Sequence, residues 1–78
     1  MTKQTFTRDI SKKVGKRLSQ VRTQKGFTQE KLAHEAGLNR AYVGYIERGE
    51  RNPSIATIAK LAQALKVEVA EFFKFKLS

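Results

Sequence analysis

Residues 40–48 carry side chains that suit contact with another molecule. If this segment is helical, at about 100° per residue, Val43 and Ile46 mark one face and a second set of residues marks the opposite face. That opposite face consists of Arg40, Ala41, Gly44, Tyr45 and Arg48. Arginine can donate two parallel hydrogen bonds to a guanine or a phosphate, and small residues let a helix backbone lie deep in a groove. The spacing therefore predicts contact with the major groove of DNA.

The residues of this segment also have simpler interpretations. Tyr42 is expected at the edge of the core, Gly44 could permit a close helix crossing, and Arg48 could stabilise the C-terminal end of the helix. Tyr45 can contact a thymine methyl group, a base edge or a phosphate. Because the first residues of a recognition helix reach furthest into the groove, Arg40 is the best candidate for base readout.

The sequence offers little that could support catalysis. It contains no cysteine and one histidine, His34, so it lacks a thiolate metal site and a second histidine for acid–base work. There is no glycine-rich phosphate loop either. We therefore predict no enzymatic activity, no metal and no cofactor, and we interpret His34 as a surface residue.

The charge is strongly positive and unevenly distributed. The 78 residues include 16 Lys and Arg against 7 Asp and Glu, which gives a formal net charge of +9. Residues 1–25 contain a single acid, Asp9, among many bases. The bases are Lys3, Arg8, Lys12, Lys13, Lys16, Arg17, Arg22 and Lys25. Such a field favours a polyanion, most commonly nucleic acid, although a solubilising surface or an anionic membrane surface would also account for it.

No run approaches the roughly 20 apolar residues of a membrane span, and the polar, basic start does not read as a secretory signal. We expect a cytoplasmic protein.

Hydrophobic spacing predicts an all-α fold with five short helices. Ile10, Val14, Leu18 and Val21 recur at helical spacing, and Gly26 is placed to end that first helix. Thr28 can cap a second helix that stops at Gly37.

Three further helices are predicted beyond Gly37. Asn39 can cap a third helix that runs to about Arg48, and Ser54 can cap a fourth. A short fifth helix is expected over Val67–Phe73. We assign one domain, residues 10–78, preceded by a basic arm, residues 1–9, that we expect to be disordered without DNA.

Helices 2 and 3, with the tight turn at Gly37 between them, have the outline of a helix-turn-helix. Three runs also resemble the Cro/Xre family of phage-repressor-like regulators. They are residues 26–33, GFTQEKLA, residues 37–39, GLN, and residues 46–54, IERGERNPS. The resemblance covers roughly residues 14–73. Within it, residues 40–43, 46–48 and 51–52 are most similar to controller proteins of restriction-modification systems.

The resemblance implies specific roles. Base edges would be met by Arg40, Ala41, Gly44 and Tyr45. The DNA backbone would be held by Thr28, Gln29, Arg48, Arg51 and Asn52. Arg22 and Glu47 match positions that commonly form a partly buried ion pair, which would orient the recognition helix more than it adds stability. A bacterial or phage origin is also implied.

The resemblance further implies a homodimer on a palindromic operator, because a two-fold dimer presents two recognition helices about one DNA turn apart. The apolar C-terminal segment, residues 67–78, is expected to contribute to the interface. Its predicted interface residues are Ile55, Val67, Val69, Phe72 and Phe75. RNA polymerase is a candidate partner of such a regulator. The sequence leaves open an antitoxin that represses its own operon and mainly binds a protein partner.

Overall fold

The computed structural model describes the backbone of residues 3–76 and the side chains of residues 6–76. This part of the chain contains four α-helices and one 3₁₀ helix, with no strand. The helices are α1 (Lys3–Gln24), α2 (Gln29–Ala36), α3 (Arg40–Glu47), α4 (Ile55–Leu65) and the 3₁₀ helix Val69–Phe73. The predicted all-α class is confirmed. No helix among these residues is long and apolar enough to cross a bilayer.

Helix α1 is longer than the sequence pattern indicated. It begins at Lys3 and runs for 22 residues, so the segment predicted as a disordered arm is helical from its third residue. Phe6 stands four residues before Ile10 and continues the apolar stripe by one turn, and neither glycine nor proline interrupts residues 3–14. Met1 and Thr2 of the predicted arm lie outside the described residues.

The connection between α2 and α3 is built as the sequence predicts. Gly37 adopts φ 69° and ψ 34°, a left-handed conformation that a residue without a Cβ enters at little cost. The Thr28 hydroxyl accepts a hydrogen bond from the Lys31 amide at 3.0 Å and caps α2. Asn39 Oδ1 accepts from the Ala41 amide at 2.7 Å and caps α3. These caps satisfy amides that the helices leave free, and they set where α2 and α3 begin.

The C-terminal segment differs from the predicted fifth helix. Lys66 ends α4 in a left-handed conformation, and Val69–Phe73 then forms a 3₁₀ helix rather than an α-helix from Val67. Glu71 ties this segment to α1, since its carbonyl accepts from Arg17 Nε at 2.9 Å. A hydrogen bond from Lys74, opposed by desolvation and assisted by the charges of Lys74 and Arg17, lowers the pKa of the Glu71 carboxyl.

One apolar core joins all five helices. Its largest fully buried side chains are Phe72, Leu18, Leu32, Ile46, Leu61, Leu65 and Val43. Phe72, which we predicted at the interface, is 0% exposed within the single chain, so its side chain belongs to the core of the protomer. The apolarity of the C-terminal segment serves the core at this position.

Helices α1 and α3 touch through their backbones at Gly15. A Cβ added at Gly15 would overlap the carbonyl oxygen of Ile46 and would lie 2.7 Å from that of Glu47. The loop after α3 also lies close to α1, since a Cβ on Gly49 would lie 2.8 Å from the Cα of Lys12. The position of α3 is therefore set by main-chain contact with α1.

We predict that Gly15→Ala destabilises the protein. The substitution would stabilise an open helix by up to about 1 kcal/mol, but here two backbone carbonyls occupy the space, so overpacking should lower the free energy of unfolding by about 1–3 kcal/mol. Urea denaturation followed by circular dichroism measures the change, with Lys16→Ala on the exposed face of α1 as the control. A Gly15→Ala protein as stable as wild type would contradict the close crossing.

Candidate nucleic-acid interface

The carboxylate of Glu47 joins three helices at the base of the predicted recognition surface. Arg22 Nε, on α1, donates to Glu47 Oε2 at 2.6 Å, and Arg22 Nη2 donates to Oε1 at 3.1 Å. Gln29 Nε2, at the start of α2, donates to the same Oε1 at 2.9 Å. The side chains of Arg22 and Glu47 are only 16% and 6% exposed. The ion pair implied by the family resemblance is thus present, and Gln29 belongs to it.

Arg22 donates a further hydrogen bond to the loop that leads into α2. Its Nη1 donates to the carbonyl of Phe27 at 2.8 Å, just before the cap residue of α2. The guanidinium therefore binds the loop before α2 and the last residue of α3 together. A bidentate arginine–carboxylate pair fixes angle as well as distance, so it sets the orientation of α3.

The exposed side of α3 holds three of the predicted base-contact residues. Arg40, the first residue of the helix, and Ala41 are exposed, and Tyr45 follows one turn later with 37% exposure. Val43 and Ile46 face the core at 0% and 1% exposure, and the half-buried Tyr42 packs against it. The helix therefore keeps its outer side free of core packing.

Gly44 differs from its predicted position at a base edge. It is buried, and a Cβ placed on it would lie 3.1 Å from Arg48 Nη1 and 3.8 Å from Gln29 Oε1. The absent side chain leaves room for the Arg48 guanidinium to lie against α3. Glycine at this position thus accommodates an arginine of the same surface.

Two guanidinium groups flank the ring of Tyr45. The central carbon of Arg48 lies 5.2 Å from the ring centroid, and that of Arg51 lies 5.3 Å from it. Cation–π attraction at this range orders the long arginine side chains around the tyrosine. Arg51 and its neighbour Asn52 are both exposed beyond the end of α3. A positively charged patch results at the C-terminal end of the predicted recognition helix.

Glu50 is the residue of this patch that our sequence reasoning missed. Its carboxylate accepts from Arg48 Nε at 3.0 Å and from Arg48 Nη2 at 3.3 Å, and both side chains are about half exposed. The hydrogen bond that Arg48 donates to the Glu50 carboxylate is the main cause that raises the pKa of Arg48. The sequence does carry a signal for this pair, because Glu50 follows Arg48 by two residues just beyond the end of α3.

An apolar groove adjoins this charged patch at Asn52, which is one of its lining residues. It is lined by Ile10, Val14, Pro53, Ile58 and Val69, with Ile55 and Phe73 at its rim. Ile55 is 89% exposed, Phe73 is 47% exposed and Val69 is 42% exposed, whereas Val67 and Phe75 pack partly against the core. The sequence did not show that Phe73 would be exposed. Apolar residues stand near it on both sides, so the pattern does not indicate which side of a 3₁₀ turn faces outwards.

Metal-binding groups are not assembled in the described part of the chain. No cluster of three or more His, Cys, Asp or Glu residues there could hold an ion. His34 is exposed on α2, as its interpretation as a surface residue requires.

Comparison with known proteins identifies the family. A family model described as helix-turn-helix matches residues 18–72, which include α2, the turn at Gly37 and α3. The chain belongs to the helix-turn-helix family. It is a DNA-binding transcriptional regulator, and the expected resemblance to phage-repressor-like regulators is confirmed.

Several relatives of this helix-turn-helix protein are restriction-modification control proteins. The control protein C.BamHI of Bacillus amyloliquefaciens is 40% identical over 71 residues, which cover 90% of this chain and 88% of that protein. The restriction-modification controller protein C.AhdI of Aeromonas hydrophila, whose crystal structure is known, is 52% identical in sequence to this chain. Its TM-score is 0.79, and the match covers 81% of this chain and 96% of that one.

A third relative has been crystallised on DNA. The controller protein C.Esp1396I, a tetramer in complex with its natural 35 base-pair operator, is 35% identical with a TM-score of 0.76. The match covers 83% of this chain and 86% of that chain.

We predict that Glu47→Ala strongly destabilises this helix-turn-helix domain. Removing the carboxylate leaves the mostly buried Arg22 guanidinium without its charge partner, which typically costs about 3–5 kcal/mol of unfolding free energy. Chemical denaturation measures the loss. Glu50→Ala, which breaks an exposed pair, is the matched control and should leave stability nearly unchanged. Equal losses for the two variants would show that the buried network is not special.

Proposed function

We propose that this protein is a controller-type regulator that binds a palindromic operator as a homodimer, with α3 of each protomer in the major groove. The observation that carries the proposal is the free outer side of α3, on which Arg40, Ala41 and Tyr45 are exposed while the inner side is held by the core. The similarity to C.AhdI and C.BamHI supports a role in controlling a restriction-modification operon.

Arg40 is the residue we assign to base recognition. It is exposed and first in α3, and Asn39 caps the helix directly before it, so its side chain starts from a fixed point. A guanidinium in that position can donate two hydrogen bonds to O6 and N7 of a guanine. Ala41 leaves space beside it, and Tyr45 offers a ring to a thymine methyl group one turn further on.

A second group of residues would hold the sugar–phosphate backbone and fix the register. Thr28 and Gln29 stand at the N-terminus of α2, where free amides and the helix dipole favour a phosphate. Arg51 and Asn52 are exposed beyond α3 and would contact the backbone on the other side of the groove. Such contacts carry affinity but no direct sequence information.

The dimer would form through the apolar groove around Ile55. A side chain that is 89% exposed at the first residue of α4, beside the exposed Val69 and Phe73, adds nothing to the core of one protomer but can be covered by a second. Exposed apolar patches of this kind mark interaction sites on soluble proteins. Two-fold symmetry would pair the groove with its own copy and place two α3 helices on one side of DNA.

We predict that Arg40→Ala relaxes sequence preference. Loss of a bidentate base contact should weaken operator binding by about 1–3 kcal/mol and scrambled DNA much less. Fluorescence anisotropy on a duplex enriched by selection, against a scrambled duplex in the same salt, measures both. Arg51→Ala is the matched arginine substitution and should weaken the two duplexes evenly. Equal losses on both duplexes for Arg40→Ala would remove its base-reading role, and a wild-type protein without operator preference would refute the proposed function.

We predict that Ile55→Asp shifts the protein towards monomer. The charge would stand in the apolar groove, and each dimer would lose two isoleucine contacts, so dissociation should become easier by more than about tenfold. The fold should survive because Ile55 lies outside the core and an acid at a helix N-terminus is favourable. Analytical ultracentrifugation over a concentration series tests this, with Gln63→Glu as a control for charge. Wild type that sediments as monomer both free and on DNA would exclude the dimer.

A further inference from the structure

One edge of the Arg48 guanidinium, formed by Nε and Nη2, is occupied by a carboxylate of its own chain. Nε and Nη2 both donate to the carboxylate of Glu50, and Nη1 lies in the space that a side chain on residue 44 would enter. An arginine binds a phosphate in two-point fashion through such a pair of nitrogens. Arg48 therefore cannot bind a phosphate at two points through Nε and Nη2 unless Glu50 leaves.

We propose that Glu50 is an internal competitor for the phosphate that Arg48 would otherwise bind, and that it thereby limits the affinity of the protein for DNA of any sequence. The proposal rests on the proposed function, because it takes the surface of α3 and the following loop as the DNA side. It assigns Glu50 the role of a positioning residue acting through Arg48.

Exposure makes this competition reversible. The side chains of Arg48 and Glu50 are 54% and 52% exposed, so water and salt screen their attraction and the pair is readily exchanged. A buried pair such as Arg22 with Glu47 could not exchange in this way. The exposed pair can therefore open when DNA arrives, at a cost that every DNA complex must meet.

The carboxylate also lies within the charged patch itself. Arg48 and Arg51 both lie beside Tyr45, and Glu50 stands between them in sequence and neutralises one of the two. After displacement, its negative charge would remain close to the phosphate that replaced it. Non-specific binding depends almost entirely on such phosphate contacts, so a single carboxylate here has a direct effect on it.

The test is the affinity of Glu50→Gln for a labelled scrambled duplex across a series of salt concentrations. Freeing Arg48 should strengthen binding by about three- to tenfold and steepen the slope of log K against log salt by about 0.9, the value of one added phosphate contact. Glu35→Gln removes an exposed carboxylate at the far end of α2 and is the charge-matched control, expected to give a smaller gain. A second pair of proteins, Arg48→Ala with and without Glu50→Gln, shows whether the gain depends on Arg48.

A larger gain with Arg48 present than with alanine there would support the competition. Unchanged or weaker binding by Glu50→Gln would overturn it, since Glu50 would then hold Arg48 in its DNA-binding position. Equal gains with and without Arg48, or an equal gain from Glu35→Gln, would also overturn it and reduce Glu50 to a repulsive charge. Scrambled DNA binding does not require an operator, so failure here is distinct from failure of the proposed function.

Discussion

The orientation of α3 depends on one buried carboxylate. Glu47 stands at the last residue of the helix, where it receives three hydrogen bonds, two from Arg22 and one from Gln29. Bringing a charge into a site with 6% exposure is unfavourable unless it is paired and hydrogen-bonded, and here both conditions are met. The same group links α1, α2 and α3, so the angle between the two helices of the motif is set by directional bonds as well as by apolar packing.

Burial divides the two arginine–carboxylate pairs of this region into different roles. The Arg22–Glu47 pair is enclosed and holds the framework, whereas the Arg48–Glu50 pair lies in solvent a few residues later and can exchange partners. The chemical groups are the same in both. Their surroundings determine whether the pair acts as a fixed joint or as a replaceable contact.

Local chemistry made much of this structure predictable. The helix ends could be predicted from Thr28, Gly37 and Asn39, because capping and left-handed turns depend on the residue itself and its near neighbours. Val43 and Ile46 likewise gave the inner face of α3. Features that depend on distant partners were harder to read. The spacing gave no sign that Gly15 would meet the carbonyls of α3.

Two other differences have the same origin. Phe72 was read as an interface residue because an apolar tail can serve a core or a partner equally well, and only the three-dimensional arrangement separates them. Residues 3–9 are helical because α1 continues through them without interruption. The basic composition of this segment had suggested a disordered arm instead. For Gly44, the helical wheel gave its side correctly but could not show that the Arg48 side chain covers it.

The arrangement of α3 separates what supports the fold from what faces outwards. Arg40, Ala41 and Tyr45 contribute little to the core, while Gly15, Val43, Ile46 and Glu47 set where the helix lies. Substitutions at the three outer positions are therefore expected to cost little stability, since surface changes away from caps and cores are usually small in effect. Under the proposed function, descendants of such a chain can acquire a new target sequence through a few surface replacements, without first having to rebuild the scaffold that presents them.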